Sequence, residues 1–163
     1  MKRFIAVLAL LAALHGVCSA QQKGFQGFVS FGRNDVVTAG EIDYDALTLK
    51  TFDIIGGYRF LPNQFVGAGV EIQLSELLEA CVLNIFVDYR ANLKQHGAWS
   101  SFVDLRAGCV PGGDDIGFSG GAFYGMHYTI HANTGFMAMM GIQALRKEKA
   151  TLLGPGIRFG LAF

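Results

Sequence analysis

Ile157-Arg158-Phe159-Gly160-Leu161-Ala162-Phe163 is the stretch on which the reading of the fold turns. Ile157, Phe159, Leu161 and Phe163 share one face, and Arg158, Gly160 and Ala162 share the other. Alternation with period two marks a strand with one apolar face. The stretch finishes on an aromatic ring that a frayed soluble strand would expose to water. A strand crossing a bilayer has a use for that ring, in the aromatic girdle at the membrane interface.

The same alternation recurs along the chain between polar breaks. Eight segments carry it: Gly24–Gly32, Leu47–Phe60, Phe65–Leu74, Val82–Asn92, Trp99–Cys109, Phe118–Ile130, Phe136–Leu145 and Thr151–Phe163. Phe28 is the one mild interruption of the first segment. An even number of strands closes an up-and-down barrel. With both ends on the periplasmic side, 61–64, 93–98 and 131–134 are the short periplasmic turns. The connections at 33–46, 75–81, 110–117 and 146–150 then face outward, with Ser75–Ala80 reading as one helical turn.

Charge placement separates this barrel from a soluble sandwich with a polar outer face. The faces read as outward carry no charge at central positions, and Lys50 sits near the outer rim. The inward faces carry Asp53, Glu71, Asp88 and Asp104 against Arg59, Arg90, Arg106 and Arg158. A lipid-facing arginine at mid-membrane costs about 2–4 kcal/mol. A lumen charge is tolerable when paired, and an eight-stranded interior is only wide enough for its own side chains. These eight residues are therefore expected to plug the lumen as a salt-bridge network. Arg158 should point toward Asp53, Glu71 or Asp104, and Ile157, Phe159, Leu161 and Phe163 toward lipid.

The start of the chain reads as an export signal. Lys2-Arg3 precedes an apolar run from Phe4 to Leu14, then Gly16-Val17-Cys18-Ser19-Ala20. That order predicts a secretory signal peptide over 1–20, cut after Ala20, with residues 21–163 forming one domain. Lipidation of Cys18 is the alternative, and Val17 argues against it. The apolar run is too short to cross a bilayer as a helix. The 13 basic and 13 acidic residues balance, so nothing points to nucleic acid. Only 16% of residues are charged and mean hydropathy is +0.36, apolar for a small domain that must cover a large surface. The 22 glycines and 14 phenylalanines suit tight lumen packing and a lipid-facing belt.

On these residues the chain resembles the small outer-membrane barrels of the OmpA-transmembrane and OmpX type. Gly56-Gly57-Tyr58-Arg59-Phe60-Leu61-Pro62 leading into Phe65–Val70, and Phe102–Gly108, are similar to blocks in small barrel proteins of the Bacteroides group. The ending with Phe159, Leu161 and Phe163 is similar to the C-terminal signature that the barrel-assembly machinery reads. The resemblance implies an outer membrane of a Gram-negative bacterium, contact with its lipid, and no cofactor. It departs from the OmpA pattern in having no peptidoglycan-binding domain after the barrel.

Several smaller constellations carry chemistry worth testing. A hairpin turning near residue 95 places Cys81 opposite Cys109 at the outer rim, and directly opposed residues have the spacing of a disulfide. His127-Tyr128-Thr129 is similar to the His-x-Ser of outer-membrane lipid A deacylases. Thr replaces Ser, however, the pair faces the lumen, and no acid completes a triad. A lumen histidine bonded to a neighbouring carboxylate is the expectation for His127. His131 shares its face but falls at a turn, which gives no metal site. Asp35, Glu41, Asp43 and Asp45, and Gly112-Gly113-Asp114-Asp115, are acidic tips without the ligand spacing of a calcium loop. Arg146, Lys147 and Lys149 suit lipopolysaccharide phosphates, though an ordinary solvated tip explains them as well. The sequence thus predicts a monomeric, non-enzymatic barrel with a structural role or a surface ligand bound by its loops. The alternatives are a lipid-modifying enzyme and a small gated ion channel.

Overall fold

The computed structural model describes residues 23–39, 47–75, 80–111, 116–131, 134–147 and 150–163. The segment read as a signal peptide, Cys18, the acidic tips at 41–45 and 112–115, the helical turn at 76–79 and Lys149 lie outside the described residues. Eight strands close into one antiparallel barrel, each paired with its neighbours in sequence and the last with the first. They are β1 (Gly24–Ala39), β2 (Leu47–Leu61), β3 (Gln64–Ser75), β4 (Ala80–His96), β5 (Trp99–Val110), β6 (Gly117–His131), β7 (Thr134–Lys147) and β8 (Ala150–Ala162).

The register fixes the tilt. Following partners from Phe28 through Ile55, Gly69, Phe86, Gly108, Ser119, Leu145 and Leu152 returns to β1 at Thr38, a stagger of ten residues. Such a stagger requires strands tilted to the barrel axis, and eight of them leave an interior that side chains can fill. Main-chain bonds tie the seam at its lower end: Gly27 N donates to Phe163 O at 2.8 Å, and Phe163 N to Gly27 O at 3.0 Å. Gly27 has no side chain, and the Phe163 ring occupies the space a Cβ would need. Ile157, Phe159 and Leu161 lie exposed on the outer face beside it.

The strands run further than the apolar alternation indicates. β1 continues through 33–39, read above as loop, paired with β2 up to Val36 and Leu47 and with β8 up to Ala39 and Thr151. Its outer face there carries Arg33 and Asp35, ion-paired at 2.8 Å, so the search for an apolar face misses a wall that has left the apolar belt. β4 likewise extends to His96, and the turn is only Gly97-Ala98, with Gly97 at φ 59°. That left-handed conformation favours glycine.

The outer face is an apolar belt. Phe31, Phe52, Ile54, Val70, Ile85, Val87, Leu105, Tyr124, Met140, Ile142 and Phe159 are all exposed. The charged side chains Arg33, Asp35, Lys50 and Arg146 on this face lie toward the long-connection end. Toward the short turns the belt becomes aromatic and amphipathic: Trp99 meets Tyr128 at a tilt with centroids 4.8 Å apart, and Phe25 meets Tyr58 edge-on at 5.3 Å. Tyr and Trp suit such a boundary because one end of each ring is apolar and the other polar.

Candidate functional site

The chemistry of this chain is concentrated in its lumen, which is filled in layers. Nearest the long connections, Val36, Leu47 and Leu49 form a buried apolar cluster with Leu152 packed against it. Below it comes a layer of amides and hydroxyls. The Asn34 side chain donates to Gln143 Oε1 at 2.6 Å, Gln143 Nε2 to Glu71 at 2.9 Å, Asn84 to Glu71 at 3.0 Å and Ser119 to Asn84 at 2.7 Å.

The ionic centre follows. Arg158, wholly buried, donates to Asp53 at 2.6 Å and to Glu71 at 2.6 Å, and its second Nη also donates to Gln143. Asp53 also accepts from Ser30 at 2.7 Å and from Arg106 at 3.2 Å. Arg106 Nε donates to Asp104 at 2.9 Å, and Arg90 donates to the other oxygen of Asp104 at 2.6 Å. The result is an alternating line, Arg90–Asp104–Arg106–Asp53–Arg158–Glu71, that crosses β4, β5, β2, β8 and β3. Strand alternation puts each charge inward, and the stagger brings residues from distant strands to one height.

Two of the sequence-selected residues stand apart. Asp88 approaches Arg90 and Arg106 only at 3.6 and 3.7 Å, and both of its oxygens are buried without a hydrogen bond. Arg59 has no carboxylate partner among the described residues; it donates to Gln26 Oε1 at 3.0 Å and to the Pro62 carbonyl at 2.9 Å.

Below the ionic centre the filling is apolar; alternation alone puts Ile55, Phe86, Met137, Met139 and Ala162 on this side, but not Phe28, Phe65, Phe102 and Phe123. Phe28, Ile55, Phe65, Phe86, Phe102, Phe123, Met137, Met139 and Ala162 make one buried cluster. Phe28, the interruption in the first segment, is thus a lumen residue, and Arg90 lies 4.0 Å from its ring and 4.7 Å from that of Phe102. Arg106 sits over Phe86 and Phe123 at 4.9 and 5.3 Å, and Arg158 over Phe123 at 4.7 Å. The rings fit because glycines face them. A Cβ on Gly69 would stand 2.6 Å from the Phe86 ring, and one on Gly67 2.7 Å from that of Phe65.

The structure corrects two readings. Cys81 and Cys109 are both free. The hairpin turns at Gly97-Ala98 rather than near 95, and each residue of displacement moves the opposed partner by two. Cys109 therefore lies opposite Ile85, while Cys81 pairs with Leu74 of β3. Four residues of strand separate Ile85 from Cys81, about 13 Å, beyond the reach of a disulfide. His127 also departs from expectation. Its Nε2 is buried without a partner, and the charges acting on the ring are Arg90 and Arg59, not a carboxylate. The hydroxyl opposite it is Ser100 of β5, not Thr129, and the Ser100 Oγ is likewise unpartnered. Among the described residues no His, Cys, Asp and Glu group could hold a metal ion.

A closed eight-stranded barrel, apolar outside and filled by ions, amides and rings, defines a small barrel of the outer-membrane type. No family model matches the chain, and no curated protein matches it. Neisserial surface protein A superposes with a TM-score of 0.57 at 12% identity, over 86% of this chain and 95% of that one. The N-terminal β-barrel domain of Pseudomonas aeruginosa OprF aligns over 87% of this chain and 100% of that one, at 14% identity and a TM-score of 0.47. The likeness to the Neisserial protein is one of fold.

Proposed function

We propose that this chain is a monomeric integral protein of a Gram-negative outer membrane, reached by export and barrel assembly, with a structural or loop-mediated surface role. The observation that carries the reading is the segregation of charge. The mid-belt outer face is apolar, while six charged side chains in a continuous line are buried inside. In water that arrangement would expose a patch far larger than the few hundred Å² a soluble monomer normally shows. In a bilayer the same surface is solvated, and closure satisfies every strand edge. The apolar cluster above the ionic line and the aromatic layer below it support a non-conducting lumen. A lipid-modifying role has less support, because His127 faces inward and lacks an orienting acid. The test is fractionation of cells expressing the full chain, with gel mobility before and after boiling. An outer-membrane band whose mobility changes on boiling is expected. A soluble periplasmic product would overturn the reading.

A further inference from the structure

The lowest lumen layer has a charge pattern that the plug does not explain. On the inward positions nearest the short turns lie Gln26, Arg59, Ser100 and His127, beneath Arg90. Ser100 and His127 face each other across β5 and β6. The Ser100 Oγ, the His127 Nε2 and the Arg90 Nε are buried and have no hydrogen-bond partner. Arg59 adds a guanidinium that, among the described residues, is satisfied only by neutral oxygens, those of Gln26 and Pro62. The imidazole lies where a side chain on Gly135 would stand, so it is held against the wall and not across the opening. Gln26 and His127 are half-exposed, which puts the layer in reach of the short-turn mouth.

All of these groups can donate: the guanidinium N–H groups, the hydroxyl, and the imidazole in its Nε2-protonated tautomer. A buried donor left unpaired costs about 1–3 kcal/mol. Several such donors in one layer, beside an Arg59 guanidinium that meets no carboxylate among the described residues, make an anion site, for the same reason that guanidinium clusters hold phosphate and carboxylate groups. The carboxylates of the lumen do not meet this need: Asp53, Glu71 and Asp104 are engaged higher in the barrel, and Asp88, 3.6 Å from Arg90 and 3.7 Å from Arg106, is not among the charges acting on His127. We propose that the short-turn mouth of the barrel is a binding site for a phosphate-type oxyanion, held by Arg59, Ser100 and His127. Two sources have this chemistry, free phosphate and the headgroup of an anionic phospholipid. Only the second depends on the membrane reading above.

The test uses the full barrel with 13C-labelled histidine, the His127 imidazole signal being assigned with a His127→Gln variant. Inorganic phosphate is titrated in neutral detergent at fixed pH and ionic strength, against chloride. In a second arm the barrel is placed in phosphatidylcholine nanodiscs with and without phosphatidylglycerol, free of phosphate. A saturable shift of the His127 signal with phosphate is expected if the site takes the free ion. A shift with phosphatidylglycerol alone assigns the site to the headgroup. Either supports the proposal, and Arg59→Gln should then weaken the response at least about tenfold, the loss of one charge-assisted bond. Ser100→Ala, which removes a single neutral hydroxyl, should weaken it as well and serves if the arginine variant does not fold. A linear response equal for phosphate and chloride, with none to phosphatidylglycerol, overturns the proposal: the layer then holds water only. So does saturation that both variants leave unchanged.

Discussion

Arg90 and Arg158 are the first and last guanidinium groups of one ionic line and are held by different physics. Arg158 is met by oxygen on three sides, from Asp53, Glu71 and Gln143. Arg90 has one strong carboxylate, Asp104, and otherwise lies between the faces of Phe28 and Phe102, with the Met137 sulfur at 3.4 Å. Water is excluded from both. A buried guanidinium can therefore be stabilised by acceptors, by π faces, or by a mixture, and the mixture here changes along the barrel axis. The oxygen-rich end fixes direction, because the two Nη groups are aimed at particular oxygens, while the Nε finds none. The ring-rich end is less directional, because a quadrupole attracts a cation over its whole face.

Breaking the oxygen-rich end should cost most. Arg158→Leu leaves the buried Glu71 without a cation and Asp53 with only the longer contact from Arg106, and removing one partner of a buried pair costs about 3–5 kcal/mol. Urea unfolding of the refolded barrel should show that loss, and an unchanged midpoint would mean Arg158 does not pair inside. Asp104→Asn should cost somewhat less, about 2–4 kcal/mol, since an amide oxygen still accepts from one guanidinium while the other loses its charge partner. At the ring-rich end, Phe28→Leu keeps an apolar side chain but removes a desolvated cation–π contact, for an expected loss of about 1–2 kcal/mol. A loss as large as that of Arg158→Leu would erase the distinction between the two ends. Asp88→Asn is expected to move stability by less than about 1 kcal/mol, or to raise it, because this carboxylate has no hydrogen bond to lose. Finally, oxidation should leave Cys81 and Cys109 unlinked within one molecule. Thiol labelling before and after mild oxidant checks this, and an intramolecular bridge would show that the hairpin register is wrong.

The difference between the two ends also explains what could be read from the sequence. Every charged member of the line was legible, because an ionisable residue on an alternating strand has only one tolerable side. Phe86 was legible as well, by alternation with Asn84, Asp88 and Arg90, but Phe28, Phe102 and Phe123 were not, because the same residue type fills the outer belt. At Phe28 an apolar ring on the polar side interrupts the alternation, and the ring follows its position inward. Gln143 and Ser30 fall on the inward side by alternation, but their bonds to Glu71, Asn34 and Asp53 were not legible, because neutral polar residues carry no charge to balance and their partners come from other strands. Strand ends failed where Arg33 and Asp35 replaced the apolar face. The hairpin register failed by two residues of turn, enough to separate two cysteines placed on the correct face.

The glycines opposite the lumen rings set how this interior can change. A ring on one position occupies the volume missing from another, as Phe86 does for Gly69 and Phe102 for Gly125. Neither member can be altered alone without a clash or a void. Volume in this barrel is thus shared between strands, and the smallest tolerated step is a coupled exchange. Gly69→Ala together with Phe86→Leu should restore much of the stability that either substitution removes singly. Divergent barrels of this design should accordingly differ at matched pairs, with large and small residues trading places across the wall.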